Sequence, residues 1–285
     1  MASEYQEEIL RTDGGLVGIV SVPGPDVDSS LPAVVILNAG NIHRVGAGRA
    51  AVAMARRLAA RGQFAIRFDH AGVGDSAPRR EGLGIEEGRI SEISEIITAM
   101  SERFDLDRFI VHGLCTGARD AFHAALRDDR IVGIVQIDGF AYRNVRFYVN
   151  KIFQRAGDLP GVLKGVGRRL GLLPSPSKPD PGTDMWVEEW SDYPPRPEVE
   201  EGYRTLVSRG VRMFVAFTGS WEEEYNYERQ FIDMYPGVDF GDVLTLRYLP
   251  DAAHTLTDPV TQRAVVTDVL RWMDDAFATD RQLAS

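Results

Sequence analysis

Cys115 is the only cysteine in the chain, and it lies at the centre of the sequence Gly113-Leu114-Cys115-Thr116-Gly117. The spacing of the two glycines matches the Gly-x-Ser-x-Gly turn, which exposes a nucleophilic side chain between a strand and a helix. A helix N-terminus at this place favours a thiolate, and the backbone N–H of Thr116 points where an oxyanion would form. Cys115 is therefore predicted to be a nucleophile rather than a small buried structural cysteine.

A thiol nucleophile needs a base, and the chain has five histidines. His254 lies in the loop between the last predicted strand and the last predicted helix, where the chain order nucleophile, acid, histidine places the base. His112 and His123 fall on the strand before the cysteine and on the helix after it. Both are predicted to be structural, so His254 is the predicted base.

The carboxylate that would orient His254 has two candidates. Glu222 lies three residues after Gly219, behind the strand that precedes the histidine strand, and it is the preferred acid. Its neighbours Glu223 and Glu224 could replace it if the loop shifts by one residue. Asp138, one strand earlier, is the alternative.

A second oxyanion donor is expected from the turn at residues 38–42, because Gly40 lets the backbone approach a ligand closely. The amide of Gly40 or Asn41 would donate there. The substrate pocket is predicted to include His43, Leu114 and Trp221. A metal site is not expected, since a single cysteine excludes any multi-cysteine metal cluster.

Strands and helices alternate along the chain and position these residues. Continuous apolar runs of the kind found in a buried parallel sheet include residues 33–37 and 108–112. Eight strands are predicted in all, over residues 5–11, 16–22, 33–37, 64–68, 108–112, 131–137, 211–217 and 243–249. Helices are predicted over residues 49–61, 90–100, about 118–126, 197–208 and from Asp258 to Phe277. The fold class is thus α/β, with a mostly parallel sheet and helices on both faces.

The link between the strands ending at Asp138 and beginning at Val211 is far longer than a crossover needs. We predict a core of residues 1–139 and 197–285, with a helical cap inserted at residues 140–196. The first half of the insertion is basic, and its second half is rich in proline around Trp186 and Trp190.

Composition limits the partners and the compartment. The 285 residues include 32 Lys and Arg against 42 Asp and Glu, which gives a net charge of −10 and argues against nucleic acid or an anionic membrane as partner. No apolar window approaches the length of a membrane span, and the first residues are unlike a signal peptide. We expect a soluble, cytoplasmic protein.

These motifs together resemble the α/β-hydrolase fold superfamily over nearly the whole chain. The sequence Arg67-Phe68-Asp69-x-x-Gly72-x-Gly74-Asp75-Ser76 and residues 38–46 resemble its serine-aminopeptidase-like and exosortase-associated branches. The cysteine at the elbow departs from the serine pattern and is similar to dienelactone hydrolases, polyhydroxyalkanoate synthases and some acyltransferases. The resemblance implies an eight-stranded sheet and a Cys-His-acid triad, but it does not name a substrate.

The leading hypothesis is an esterase, thioesterase or acyltransferase that acts on an ester, lactone or thioester through an acyl-cysteine. No cofactor is expected. The basic insertion would suit an anionic acyl donor, coenzyme A or an acidic carrier protein, although a solvated cationic face explains it equally well. A homodimer is compatible with the sequence. The alternatives are a non-catalytic scaffold that lost its serine and a carbon–carbon bond hydrolase.

Overall fold

Eight strands form one sheet in the described part of the chain. A computed structural model describes residues 5–25, 27–28, 30–79, 82–157 and 193–278, with the backbone alone for 154–157. The strands are β1 (Gln6–Arg11), β2 (Val17–Val22), β3 (Ala33–Ile36), β4 (Ala65–Asp69), β5 (Phe109–Leu114), β6 (Ile131–Ile137), β7 (Arg212–Thr218) and β8 (Leu244–Leu249). Each predicted strand is present, with its ends displaced by no more than two residues.

The helices lie between these strands. They are α1 (Ala50–Ala59), α2 (Ile85–Phe104), α3 (Thr116–Arg127), α4 (Val145–Gly157), α5 (Arg196–Ser208), α6 (Gln230–Met234) and α7 (Pro259–Ala276). The predicted start of the last helix is confirmed, because Asp258 caps it through a 2.7 Å bond from the backbone N–H of Thr261 and Pro259 takes the first helical position.

The strand order across the sheet is β1-β2-β4-β3-β5-β6-β7-β8. β2 pairs antiparallel with β1 and β4, and all other neighbours are parallel. The carboxyl ends of β3 and of β5 to β8 therefore meet at one edge, where loops from different parts of the chain can build a site.

Helices cover both faces of the sheet, as predicted. Alternate residues of a strand point to opposite faces, so Val35 packs into one apolar cluster and Val34 into another. The first cluster holds the buried sides of α2, α3 and α5, and the second holds those of α1 and α7. The chain thus has three layers with two cores, and the mostly parallel eight-stranded α/β sheet is confirmed.

The proposed division into a core and a cap remains a prediction. α4 lies inside the predicted insertion at 140–196, and the crossover helix α5 begins at its end. Residues 158–192, which include Trp186, Trp190, most of the prolines and four of the basic residues of the insertion, lie outside the described residues. Within the described chain, no helix is both long enough and apolar enough to cross a membrane.

Candidate active site

Cys115 forms the turn between β5 and α3. β5 ends at Leu114 and α3 begins at Thr116, so one residue makes the whole connection. Its backbone has φ 58° and ψ −117°, a conformation that residues with a side chain rarely adopt. The N–H of Cys115 donates to the carbonyl of Ile137 at the end of β6 over 2.8 Å, which holds the turn against the neighbouring strand.

The two glycines of the elbow are required by close backbone contacts. A Cβ at position 113 would lie 2.0 Å from the carbonyl oxygen of Gly117, and a Cβ at position 117 would lie 2.6 Å from that of Asn38. Neither neighbour is a flexible side chain that could move away. The Gly-x-Cys-x-Gly spacing therefore reflects how tightly the first turn of α3 folds back on β5 and on the end of β3.

His254 lies between Cys115 and a carboxylate. Its Nδ1 is 2.7 Å from Oδ2 of Asp138, and the side chain of Cys115 is close enough to the same imidazole to raise its pKa. Because Nδ1 is used by Asp138, the nitrogen that serves Cys115 is Nε2. The structure thus brings together the nucleophile and base expected from the sequence, with Asp138 as the third member.

Asp138 is fully buried and held by Thr218. Its Oδ1 accepts the backbone N–H of Thr218 and its Oδ2 accepts the hydroxyl of the same residue, each over 2.7 Å. Asp138 follows the last residue of β6, and Thr218 is the last residue of β7, the next strand. With His254, three donors surround this carboxylate, so its charge is compensated in a buried place. The contact of Thr218 was not predicted from the sequence. It could have been, because Thr218 carries a hydroxyl at the end of β7, the strand beside the one that Asp138 follows.

The carboxylate in contact with His254 is therefore the alternative candidate, Asp138, and not the preferred candidate, Glu222. Glu222 is exposed and follows a short 3-10 turn at Gly219–Trp221. Because this turn follows the end of β7 directly, Glu222 and its neighbours lie beyond the strand end, away from the buried position that Asp138 occupies. The neighbours Glu223 and Glu224 form ion pairs with Lys151 and Arg143 instead.

The charge state of His254 follows from these contacts. Burial lowers the pKa of its imidazole, but the hydrogen bonds and charges of Asp138 and Cys115 outweigh burial and raise the pKa to about 9. A protonated imidazole between two groups that can carry negative charge is the arrangement expected for a cysteine–histidine pair.

Trp221 completes the surroundings of the base. Its ring stacks on that of His254 with centroids 4.7 Å apart and planes 20° apart. The loop that carries Trp221 approaches the histidine loop closely, because a Cβ at Gly219 would lie 1.8 Å from the carbonyl oxygen of Pro250. The tryptophan thus limits the rotation of the imidazole, and it lines the cavity as predicted.

The proposed oxyanion donors lie beside the nucleophile. Thr116, Gly40 and Asn41 all line the same cavity as Cys115. The N–H of Gly40 already donates to Oγ1 of Thr116 over 2.8 Å, and the carbonyl of Gly40 accepts from Arg89 over 3.3 Å. In a trans peptide the N–H of Asn41 points opposite to that carbonyl, and so away from Arg89.

A buried ion pair anchors the rest of this loop. The carboxylate of Asp69, which is fully buried, accepts from both the backbone N–H and the guanidinium of Arg44, and Arg44 also binds Asp75. Asn38 donates to the carbonyl of Ile42 over 2.8 Å. Residues Asp69 and Asp75 of the motif at 67–76 thus hold the loop at 38–46 in place. The sequence alone did not predict this contact between the two segments.

His43 does not line the described cavity, which corrects the prediction for this residue. The side chain of His43 is exposed and is not among the residues that line the cavity. Its neighbour Arg44 binds the buried Asp69, and the backbone N–H of Gly46 donates to the carbonyl of His43 and forms a turn there. His70 is buried on Glu92, with 2.7 Å between Nδ1 and Oε2.

The cavity above the elbow has a volume of about 1170 Å³ among the described residues. Leu114 lines it, as predicted, and sequence reasoning missed several further lining residues, which are Ile42, Arg119, Tyr142, Arg143 and Tyr193. Burial raises the pKa of Tyr193 to about 12, so this phenol is neutral near pH 7. Where the structure describes the chain, no three metal-ligating side chains converge.

Comparisons with solved structures identify the fold. The chain is similar to an alpha-beta serine hydrolase homologue from Coxiella burnetii, with 11% identity, a TM-score of 0.56, and 93% of this chain and 96% of that chain covered. It is also similar to an esterase from Pyrococcus furiosus, with 16% identity, a TM-score of 0.60, and coverage of 96% and 91%. A proline iminopeptidase from Mycobacterium smegmatis has 15% identity, a TM-score of 0.59, and coverage of 96% and 99%.

These similarities show that the chain has the α/β-hydrolase fold. The Coxiella protein is described as a serine hydrolase homologue, whereas this chain has Cys115 at its elbow. Neither a family model nor a curated protein matches the sequence.

Proposed function

We propose that this protein is an acyl hydrolase or acyltransferase that uses Cys115 as its nucleophile. The observation that carries the proposal is the continuous contact from Cys115 through His254 to Asp138, beside a cavity large enough for a small molecule. The α/β-hydrolase fold accommodates many reactions, so the residues of this site, and not the fold, indicate which chemistry is possible.

The first half of the reaction forms an acyl-cysteine. Nε2 of His254 holds the proton of the thiol, and the sulfur of Cys115 attacks the carbonyl carbon of an ester, lactone or thioester. The electron pair of the carbonyl moves to its oxygen, which the N–H of Thr116 stabilises. When the tetrahedral intermediate collapses, the bond to the leaving group breaks and His254 gives the leaving group its proton.

The second half transfers the acyl group to an acceptor. His254 removes a proton from water, an alcohol or an amine as the acceptor attacks the thioester carbonyl. The carbon–sulfur bond then breaks, and the sulfur of Cys115 leaves with its electron pair and takes the proton from His254. Asp138 keeps the imidazole oriented throughout, since its Oδ2 contacts Nδ1. Thioesters react readily with amines and thiols, so transfer is as natural as hydrolysis in this mechanism.

The described charges favour an uncharged acyl donor over coenzyme A or an acidic carrier protein. The described cations of the basic segment are paired with carboxylates, Arg143 with Glu224, Arg146 with Asp233 and Lys151 with Glu223. Each pair cancels a charge that could otherwise attract an anionic donor. We therefore rank a neutral ester, lactone or small thioester first, and homodimerisation and a cytoplasmic location remain predictions.

Burst kinetics with p-nitrophenyl butyrate test the proposal. The wild type is expected to release about one p-nitrophenol per chain in a fast phase, followed by slow turnover, because p-nitrophenolate is a good leaving group and acylation should be faster than deacylation. Cys115→Ala should abolish the burst. His43→Ala is the matched control, since His43 is an exposed loop residue outside the cavity, and it should retain the burst.

Two other results would contradict the proposal. A burst that persists in Cys115→Ala would assign the nucleophile to another residue. A wild type with neither burst nor turnover, and with no faster alkylation by iodoacetamide than a free thiol, would support a non-catalytic scaffold.

Added amine or thiol acceptors distinguish transfer from hydrolysis, because they accelerate deacylation only if the acceptor site admits them.

A further inference from the structure

The hydroxyl of Thr116 lies between the nucleophile and the loop expected to supply the second oxyanion donor. Its Oγ1 accepts the N–H of Gly40 over 2.8 Å, and Thr116 is only 4% exposed. The N–H of Gly40 is therefore already used by a protein group. An oxyanion could reach this N–H only by displacing the hydroxyl.

Gly40 is also held from its other side. Its carbonyl accepts from Nη2 of Arg89 over 3.3 Å, and Nη1 of Arg89 lies 3.3 Å from Oδ2 of Asp120. Arg89 and Asp120 are each 3% exposed. A buried and paired guanidinium resists movement, because displacing it would leave Asp120 buried without its partner. The N–H of Gly40 is thus kept on Thr116 rather than turned toward a substrate.

The hydroxyl that accepts from Gly40 still has a proton to donate. A threonine hydroxyl has one O–H donor and two acceptor positions, and the described bond to Gly40 uses one acceptor position. Thr116 follows Cys115 directly and lines the same cavity. The bond from Gly40 polarises the hydroxyl and strengthens it as a donor.

We propose that the hydroxyl of Thr116 is the second oxyanion donor. The N–H of Gly40 contributes indirectly, because it donates to this hydroxyl and polarises it. This inference rests on the proposed function, since an oxyanion forms only if Cys115 attacks a carbonyl. As the sulfur–carbon bond forms, the carbonyl electron pair moves to the oxygen, which accepts bonds from the N–H and O–H of Thr116. Neither donor loses its proton, and both bonds are released when the intermediate collapses.

Two variants of Thr116 separate this role from a structural one. Thr116→Val keeps the shape and the backbone N–H but removes the hydroxyl, whereas Thr116→Ser keeps the hydroxyl. With p-nitrophenyl butyrate, kcat of the valine variant should fall about 10²-fold with KM nearly unchanged, as for loss of one oxyanion donor. The serine variant should remain close to the wild type.

A second measurement does not need turnover. Butanal labelled with ¹³C at its carbonyl adds to the thiol of Cys115 as a hemithioacetal, whose oxygen occupies the place of the oxyanion, and ¹³C NMR measures the fraction bound. Thr116→Val should weaken this adduct by about tenfold, the effect of one hydrogen bond of ordinary strength, and Thr116→Ser should not. Thermal unfolding of both variants verifies that they are folded.

The outcomes distinguish this inference from the proposed function. If Thr116→Val forms the adduct and turns over as well as the wild type, the N–H of Gly40 becomes available and serves as donor, and the inference is wrong. A faster valine variant would mean that the hydroxyl blocks the site. If the wild type itself forms no adduct with Cys115, the nucleophile assignment fails, and this inference fails with it.

Discussion

At the scale of single residues, the pair of Asp138 and His254 determines how the site works. Asp138 holds the imidazole by a 2.7 Å contact and is itself fixed by two bonds from Thr218. The imidazole of His254 is therefore oriented by a carboxylate that is itself held in place. Glu222, on the exposed loop, has no comparable position.

The first prediction compares these two carboxylates. Asp138→Asn should lower kcat about 10²- to 10⁴-fold, because the imidazole loses the group that fixes its tautomer and orientation. Glu222→Gln is the matched control and should retain activity close to the wild type. Steady-state hydrolysis of p-nitrophenyl butyrate measures both. The opposite ranking of the two variants would return Glu222 to the triad.

The second prediction concerns pH and stability. The pKa of His254 is raised from 6.5 to about 9 in the folded chain, so protonated His254 stabilises the fold fully below pH 6.5, and this contribution is lost as pH rises through about 9. Asp138→Asn removes a main cause of the raised pKa. The difference in free energy of unfolding between wild type and variant should therefore be largest below pH 6.5 and shrink toward pH 9. Urea denaturation measures it, and a difference that does not vary with pH would contradict the assignment.

That Cys115 and His254 lie at the same edge of the sheet was predictable from sequence, because each follows closely on the end of a strand. The carboxylate that contacts His254 was not, because its identity depends on the path of the loop after β7. The short turn at Gly219–Trp221 places Trp221, rather than a glutamate, against His254. A sequence shows that Asp138 and Glu222 both follow strands, but not which loop faces the imidazole.

At the scale of elements, the elbow is a contact between the end of β5 and the first turn of α3. The sequence predicted that helix from about residue 118, whereas α3 begins at Thr116. The difference has a physical cause: Cys115 alone, with φ 58°, completes the turn. The apolar strands at the centre of the sheet were predictable, because a parallel sheet covered on both faces buries most side chains of its central strands, as in β3 and β4.

The third prediction tests this contact. Gly113→Ala places a Cβ 2.0 Å from the carbonyl oxygen of Gly117, so the elbow must open, and we expect a loss of more than about 3 kcal/mol of stability. Gly84→Ala is the control, because a Cβ there has no neighbour within 4 Å. As Gly84 is the N-cap of α2, its replacement should cost about 1 kcal/mol or less. Urea denaturation compares the two, and equal losses would contradict the close packing of the elbow.

At the scale of the whole molecule, the chain is acidic, and its charge acts on any charged molecule that approaches the cavity. The net charge is −10, and Arg143, at the cavity wall, forms an ion pair with Glu224. The long-range field therefore repels an anionic acyl donor, and salt screens that repulsion. The order of strands and helices, and hence this cavity at the sheet edge, followed from the sequence. The balance of charge around the cavity depends on ion pairs that no spacing rule gives.

The fourth prediction follows from this field. As ionic strength rises from low to physiological, kcat/KM for the butyryl thioester of coenzyme A should rise relative to that for the uncharged butyryl thioester of N-acetylcysteamine. Both donors carry the same acyl group, so the ratio isolates the charge of the carrier. A ratio that falls with salt would show attraction, and would favour coenzyme A or an acidic carrier protein as the donor.

The central claim is that Cys115 carries the acyl group during the reaction. The test is mass spectrometry of the intact protein, quenched in acid after mixing with the butyryl thioester of N-acetylcysteamine. The wild type is expected to gain the mass of one butyryl group, located by fragmentation on Cys115, and Cys115→Ala should gain none. A wild type that turns the thioester over without any acyl group on Cys115, or a Cys115→Ala variant that still acquires one, would exclude Cys115 as the acyl carrier.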